Sequence, residues 1–134
     1  LDTACAAEFV RERDRGLEER VSQNANNLSG GQKQRLAIAR ALIKKAEIYI
    51  FDDSFSALDF KTDAAVRANI RRRLSDCAML IVAQRVGTIL TADRILVLDG
   101  GRVVGDGKHE ELMKTCAAYR EIALSQLSRE EAGA

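Results

Sequence analysis

The string Leu28-Ser29-Gly30-Gly31-Gln32-Lys33-Gln34-Arg35 holds residue types that can do chemistry together. Two glycines let the backbone approach a ligand closely, and Ser29 offers a hydroxyl. The helix predicted to follow would point its first unbonded N–H groups at whatever lies in front. A helix N-terminus carries a partial positive charge, so the chemistry on offer is anion binding, phosphate above all. The lysine of a phosphate-binding loop does not accompany it, because the pattern G-x-x-x-x-G-K-S/T occurs nowhere in the chain. For the string in isolation, a Ser-capped helix after a glycine turn is the plainer reading. A second feature is the acidic pair Asp52-Asp53, which closes a short apolar run and sets two carboxylates at the C-terminal end of a predicted strand.

These residues need elements to position them. The spacing predicts a helix over Thr3 to Arg13, capped by Asp2 or Thr3, with Ala7 and Val10 on one face and Gly16 as its stop. Gly16 to Asn27 loses its period and reads as a loop. A long helix follows the Ser29 cap, with Leu36, Ala39 and Ile43 joined by Ala37 and Leu42 on the apolar side. Ile48 to Phe51 suits a strand buried on both faces. Phe60 to Leu74 has Val66, Ile70 and Leu74 at helical spacing, and Ala78 to Ala83 repeats the buried-strand pattern, so strand, helix and strand form a parallel crossover. Arg94 to Asp99 and Arg102 to Val104 flank Gly100-Gly101 as a hairpin. A helical tail runs from about Lys108 to Leu127, and Ser128 to Ala134 is expected to fray.

The chain has 134 residues, of which 46% are hydrophobic and 31% charged, enough for one domain with a core. Lys and Arg number 21 against 20 Asp and Glu, and the net charge of +1 removes a bulk electrostatic argument for nucleic acid or anionic membrane. The clearest apolar run, Ala78 to Ala83, is far short of a membrane span, and the N-terminus lacks a signal-peptide pattern. Cys5, Cys77 and Cys116 are odd in number, far apart and without metal-ligand spacing, which suits a reducing, cytosolic setting.

The plain reading of the Ser-Gly-Gly string gives way to its context. Leu28 to Arg35, followed by Leu36-Ala37-Ile38-Ala39-Arg40-Ala41-Leu42, resembles the signature motif and helix of ATP-binding cassette (ABC) ATPases. Glu47 to Asp53 resembles the Walker B strand, Ser56-Ala57-Leu58-Asp59 the D-loop, Ala83-Gln84-Arg85 the switch region, and Arg94 to Leu112 the closing hairpin and helix. Ser54 to Asp63 and Gly105 to Leu112 look most like exporter-type cassettes. The resemblance is to the C-terminal half of the cassette. It implies an α/β fold, a partial P-loop NTPase: part of a helical (signature) subdomain over residues 1–45, then the C-terminal part of the ATPase core over 46–134, with parallel strands, a hairpin and closing helices.

That likeness implies ATP and Mg²⁺ as cofactors and a motor function in a membrane exporter. Asp52 would hold the Mg²⁺, since a hard cation wants anionic oxygen at a fixed point. Asp53 stands where the family carries the glutamate that polarises the attacking water. One methylene fewer pulls the carboxylate back by roughly 1.5 Å, and a displacement near 1 Å can cost about 100-fold in rate. Gln84 stands where the family places histidine; an amide can donate to phosphate but cannot share a proton. Two such losses beside an intact signature resemble the degenerate-site subunit of heterodimeric exporters. In that arrangement Ser29, Gly30, Gly31 and Gln32 would bind the γ-phosphate of ATP held by a second cassette, a different chain in the family's pattern, and Asp59 would touch that partner while capping the helix after it. The remaining partners would be transmembrane domains, placing the chain at the cytoplasmic face of the cell membrane. With no phosphate-cradling loop, the chain alone would bind nucleotide poorly and be inactive.

Other features read more simply. His109 at a helix start suits a structural or solvated role. Arg67, Arg71, Arg72 and Arg73 suit a solvated face at a helix C-terminus rather than nucleic acid. Asn27-Leu28-Ser29 fits a glycosylation sequon, accidental in this setting. Two alternative functions stand beside the motor: a non-catalytic regulatory cassette that holds ATP between subunits, and a soluble ABC ATPase acting on nucleic acid or ribosomes, against which the near-neutral charge counts.

Overall fold

The structure, a computed structural model, describes residues 1–132. The chain divides into two compact units, Leu1–Val82 and Ala83–Ala134. In the first, α1 (Ala7–Arg11) and α2 (Gly30–Ile43) precede β1 (Ile48–Asp52), α3 (Phe60–Arg73) and β2 (Ala78–Val82). The strands pair in parallel, Ile48 opposite Ala78 through Asp52 opposite Val82, which makes the expected crossover with α3 between them. Asp59 caps α3, and Val66, Ile70 and Leu74 are all buried along it. One core joins Ala4, Ala6, Phe9 and Val10 to Ile38, Ala39 and Leu42 of α2, to Tyr49 and Phe51 of β1, and to Phe55 and Leu58 beyond it.

Four expectations for this unit need correction. The helix over Thr3 to Arg13 is broken: a 3₁₀ turn at Asp2–Ala4 ends in Cys5, whose φ of 51° is left-handed, and α1 covers only Ala7–Arg11. The break turns the Cys5 carbonyl toward Arg35, whose Nη1 donates to it at 2.6 Å while the guanidinium lies 4.7 Å from the centre of the Phe9 ring. Tertiary pairing outweighs local helix preference there. On α2 the buried stripe uses Ile38, whereas Ile43 is 81% exposed. The strands are covered on one face only: Tyr49 and Phe51 point inward, but Ile48, Ile50, Leu80 and Val82 are exposed. A short apolar run cannot by itself say how many of its faces are covered. Arg67 also leaves the solvated face assigned to it, because its Nε donates at 2.8 Å to buried Asp63 one turn earlier.

In the second unit, α4 (Val86–Ile89) leads to a hairpin of β3 (Ile95–Asp99) and β4 (Arg102–Gly107), then α5 (His109–Thr115) and α6 (Ala117–Ala132). Gly100 and Gly101, with φ of 54° and 74°, make the tight turn the sequence predicts. β4 runs beyond Val104, with a bulge between Val97 and Leu98. The short α4 carries no period to betray it. The helical tail is made of two helices, as the expected closing helices allow, and they meet at Cys116, which is extended and buried with its Sγ directed at the Val104 carbonyl at 3.7 Å. α6 continues to Ala132, past the point where fraying is expected; Gly133 and Ala134 of that expectation lie outside the described residues.

The core of this unit gathers Val86, Ile95, Val97, Leu112, Cys116, Tyr119 and Ala123. His109 sits against Tyr119, ring edge to ring face, with Nδ1 and the phenol oxygen 2.9 Å apart. Burial pushes the Tyr119 phenol above its ordinary range. A group whose folded pKa is raised stabilises the fold below its unfolded pKa and loses that contribution as pH rises through the folded value. Above about pH 10, wild type is therefore expected to lose stability relative to a Tyr119→Phe variant. Thermal unfolding of both across pH 8 to 11, bracketing the ordinary tyrosine value, checks this; parallel curves would contradict it.

Candidate functional site

Ser29, in extended conformation, caps α2 as expected. Its Oγ accepts from the Gln32 N–H at 3.2 Å, and Gln32 Oε1 accepts from the Ser29 N–H at 3.0 Å, a reciprocal capping box. The first intrahelical bond runs from the Lys33 N–H to the Ser29 carbonyl, so the Gly30 and Gly31 amides lie ahead of the bonded ladder. Ser29 and Gly30 are exposed, and a serine oxygen that accepts within the cap still has its own proton to donate. The sequence-predicted quartet Ser29, Gly30, Gly31 and Gln32 thus forms one cluster at a solvent-facing helix N-terminus of 14 residues, which is the geometry of an anion site.

The glycine at 31 has a packing reason as well. A Cβ there would stand 3.1 Å from the Ala57 carbonyl oxygen, so the turn after β1 lies directly against the start of α2. At Gly30 a Cβ would meet only Ala57 Cβ at 3.4 Å, an ordinary contact.

Asp52 and Asp53 lie exposed at the C-terminal end of β1, as predicted. Asp53 has left the strand: its φ is 47°, a region that Asp tolerates better than most residues. Its N–H donates to the Val82 carbonyl at 3.1 Å, and its Oδ2 lies 3.0 Å from the Ser56 hydroxyl. The carboxylate is therefore partly occupied inside its own turn. Among the described residues no group of three His, Cys, Asp or Glu side chains is placed to cage a metal. A lone exposed carboxylate at a strand end fits magnesium, which keeps several waters and takes one or two protein carboxylates beside phosphate oxygens.

Asp59 Oδ1 accepts from the Thr62 N–H at 2.9 Å. That hydrogen bond holds its carboxyl below the usual carboxylate range, so the cap persists at neutral pH and is lost as pH falls through the lowered value. Gln84 belongs to the second unit, exposed between β2 and α4.

Two glutamines escaped sequence reasoning. Gln34 reaches from α2 to the turn after β1, donating from Nε2 to the Asp53 carbonyl at 3.1 Å and to Ser56 Oγ at 3.0 Å, and accepting at Oε1 from the Ala57 N–H at 2.9 Å. Gln126 of α6 donates to the Gln84 carbonyl at 2.8 Å and accepts from the Val86 N–H at 2.8 Å. Each carboxamide uses both its ends to hold the backbone of a segment that carries a candidate catalytic residue. Gln34 sits inside the quoted string but with no role of its own to read, and nothing in the sequence around Gln126 connects it to a segment 42 residues earlier.

A capped, glycine-fronted helix packed on an acidic strand-end turn, with a parallel crossover behind it, is the arrangement that the comparisons with ABC transporter proteins bear on. Residues 4–56 match the family described as ABC transporter. An uncharacterized ABC transporter ATP-binding protein of Mycobacterium tuberculosis is 48% identical over 94% of this chain and 21% of its own length. The ATP-dependent lipid A-core flippase of Francisella tularensis is 42% identical over 95% of this chain and 21% of its own. The structure of a bacterial Atm1-family ABC exporter with ATP bound superposes with a TM-score of 0.90 at 36% identity, covering 94% of this chain and 22% of that one. The chain is similar to these ABC transporter proteins in sequence and fold, and it spans about a fifth of the length of the relatives it matches.

Proposed function

We propose that this chain forms the C-terminal half of an ATP-binding cassette in a membrane exporter, residues 1–45 in its helical subdomain and 46–134 in its ATPase core. It supplies the string Ser29-Gly30-Gly31-Gln32 to the terminal phosphate of ATP held mainly by a second cassette. The observation that carries this reading is the exposed, capped N-terminus of α2, with the Gly30 and Gly31 amides ahead of its hydrogen-bonded ladder. Asp52 would hold Mg²⁺, which supplies charge neutralisation on the phosphates when bound. Asp53 and Gln84 occupy the positions that orient the attacking water and contact the γ-phosphate in the chain's own site, and Asp59 meets the partner while capping α3. The Ser56 bond to Asp53 supports weak hydrolysis there, because a carboxylate engaged in its own turn is a poorer base for in-line attack. The partner is a cassette of a different chain. Transmembrane domains of the exporter hold both at the cytoplasmic face of the membrane; among the described residues no helix is long and apolar enough to cross one.

Pairing that depends on the terminal phosphoryl tests the reading. With magnesium chelated to stop turnover, ATP is expected to drive association of the full cassette with its partner in light scattering, and ADP is not. Equal association with either nucleotide would contradict a phosphate contact at Gly30 and Gly31.

A further inference from the structure

Resting on the reading above, we infer that Gln34 is a positioning residue: it fixes the acid of this chain's own nucleotide site from the helix that faces the partner's nucleotide. Three hydrogen bonds tie one carboxamide to the Asp53–Ala57 turn, at its start through the Asp53 carbonyl, at its middle through Ser56 Oγ and at its end through the Ala57 N–H. Ser56 carries the connection on to Asp53 itself, whose Oδ2 lies 3.0 Å from the same hydroxyl. The turn needs such support, because Asp53 adopts a left-handed backbone and its side chain is exposed. A Cβ at Gly31 would stand 3.1 Å from the Ala57 carbonyl oxygen at the same junction, a tight contact that leaves little room for a side chain between helix and turn. The start of α2 and the acid-bearing turn therefore move as one body. A shift of α2 on gripping phosphate is delivered to Asp53 through Gln34, and misplacement of an acid by about 1 Å is felt as a rate effect of up to 100-fold.

The residue is tested in the assembled transporter, with the partner cassette's own catalytic acid replaced so that single-turnover hydrolysis of labelled ATP reports the Asp53 site. Gln34→Met keeps the length of the side chain and removes all three bonds. It is expected to lower the rate of hydrolysis about tenfold, the value of one or two lost hydrogen bonds, with the ATP concentration for half-maximal rate unchanged. Amide exchange over residues 53–58, measured without nucleotide, is expected to quicken at least as much. Gln34→Glu keeps the acceptor for the Ala57 N–H but has no donor for the Asp53 carbonyl or Ser56 Oγ, so its exchange and its rate are both expected to fall between those of Gln34→Met and wild type.

Faster exchange in Gln34→Met with an unchanged hydrolysis rate would overturn the inference, since the amide would then hold the turn without serving the acid. A slower rate with unchanged exchange would also overturn it. If instead the wild-type cassette fails to pair under ATP, the phosphate reading falls first, and the nucleotide-free exchange experiment shows that failure to be separate from Gln34's grip on the turn.

Discussion

The double exchange Asp53→Glu with Gln84→His is expected to raise ATP hydrolysis at this chain's own site by about 100-fold. Asp53 falls short of a glutamate at the same position by roughly one carbon–carbon bond, 1.5 Å, and the Ser56 hydroxyl lies 3.0 Å from one of its carboxylate oxygens. The longer side chain both reaches further and escapes that bond. Gln84 offers a donor but no titratable proton, histidine would offer both under the proposed function, and the carbonyl at 84 remains held by Gln126 whichever side chain it carries. Because Asp53 sits at a φ of 47°, which glutamate tolerates less well than aspartate, the gain should come with a small loss of stability. Phosphate release from the mixed dimer, with the partner's own acid replaced, is the measurement. Unchanged turnover after both exchanges would show that the two positions are not weakened catalytic places.

Gly30→Glu separates the functional from the structural reading of the same string. A side chain at position 30 meets only an ordinary contact with Ala57 Cβ, and a carboxylate in the first turn of α2 suits the helix dipole, so the fold should be unharmed or slightly firmer. The new charge nevertheless stands where a γ-phosphate would be gripped. ATP-driven pairing, and with it turnover at the partner's site, is expected to fall on the order of 100-fold or more, the scale of losing a donor to developing or transferred charge. Gly30→Ala, which adds bulk without charge, should retain most of both. A glutamate variant that still pairs under ATP would leave Ser29 to Gln32 as a helix cap and nothing more.

Features that rest on short-range signals were legible in the sequence. Ser29 caps α2, Asp59 caps α3, Val66, Ile70 and Leu74 mark its buried stripe, and Gly100-Gly101 makes the hairpin turn. What escaped depends on partners far along the chain. Arg35 draws the Cys5 carbonyl out of a helix that its own neighbours favour, 30 residues away. The exposed face of Ile48, Ile50, Leu80 and Val82 follows from what packs on the sheet, and no apolar run encodes its own covering. At the site the ligand-facing string and the acidic pair could be read by residue type, whereas Gln34 and Gln126 act through carboxamide bonds to backbone, for which glutamine carries no distinguishing pattern.

The proposed function requires the Gly30 and Gly31 amides to face a phosphate when two cassettes close on nucleotide. A structure of the assembled transporter with Mg²⁺ and a non-hydrolysable ATP analogue decides it. The prediction is that both amide nitrogens lie within hydrogen-bond distance, about 3 Å, of the terminal phosphate of the nucleotide bound by the partner cassette. Those amides facing bulk water, with that phosphate held elsewhere, would contradict it.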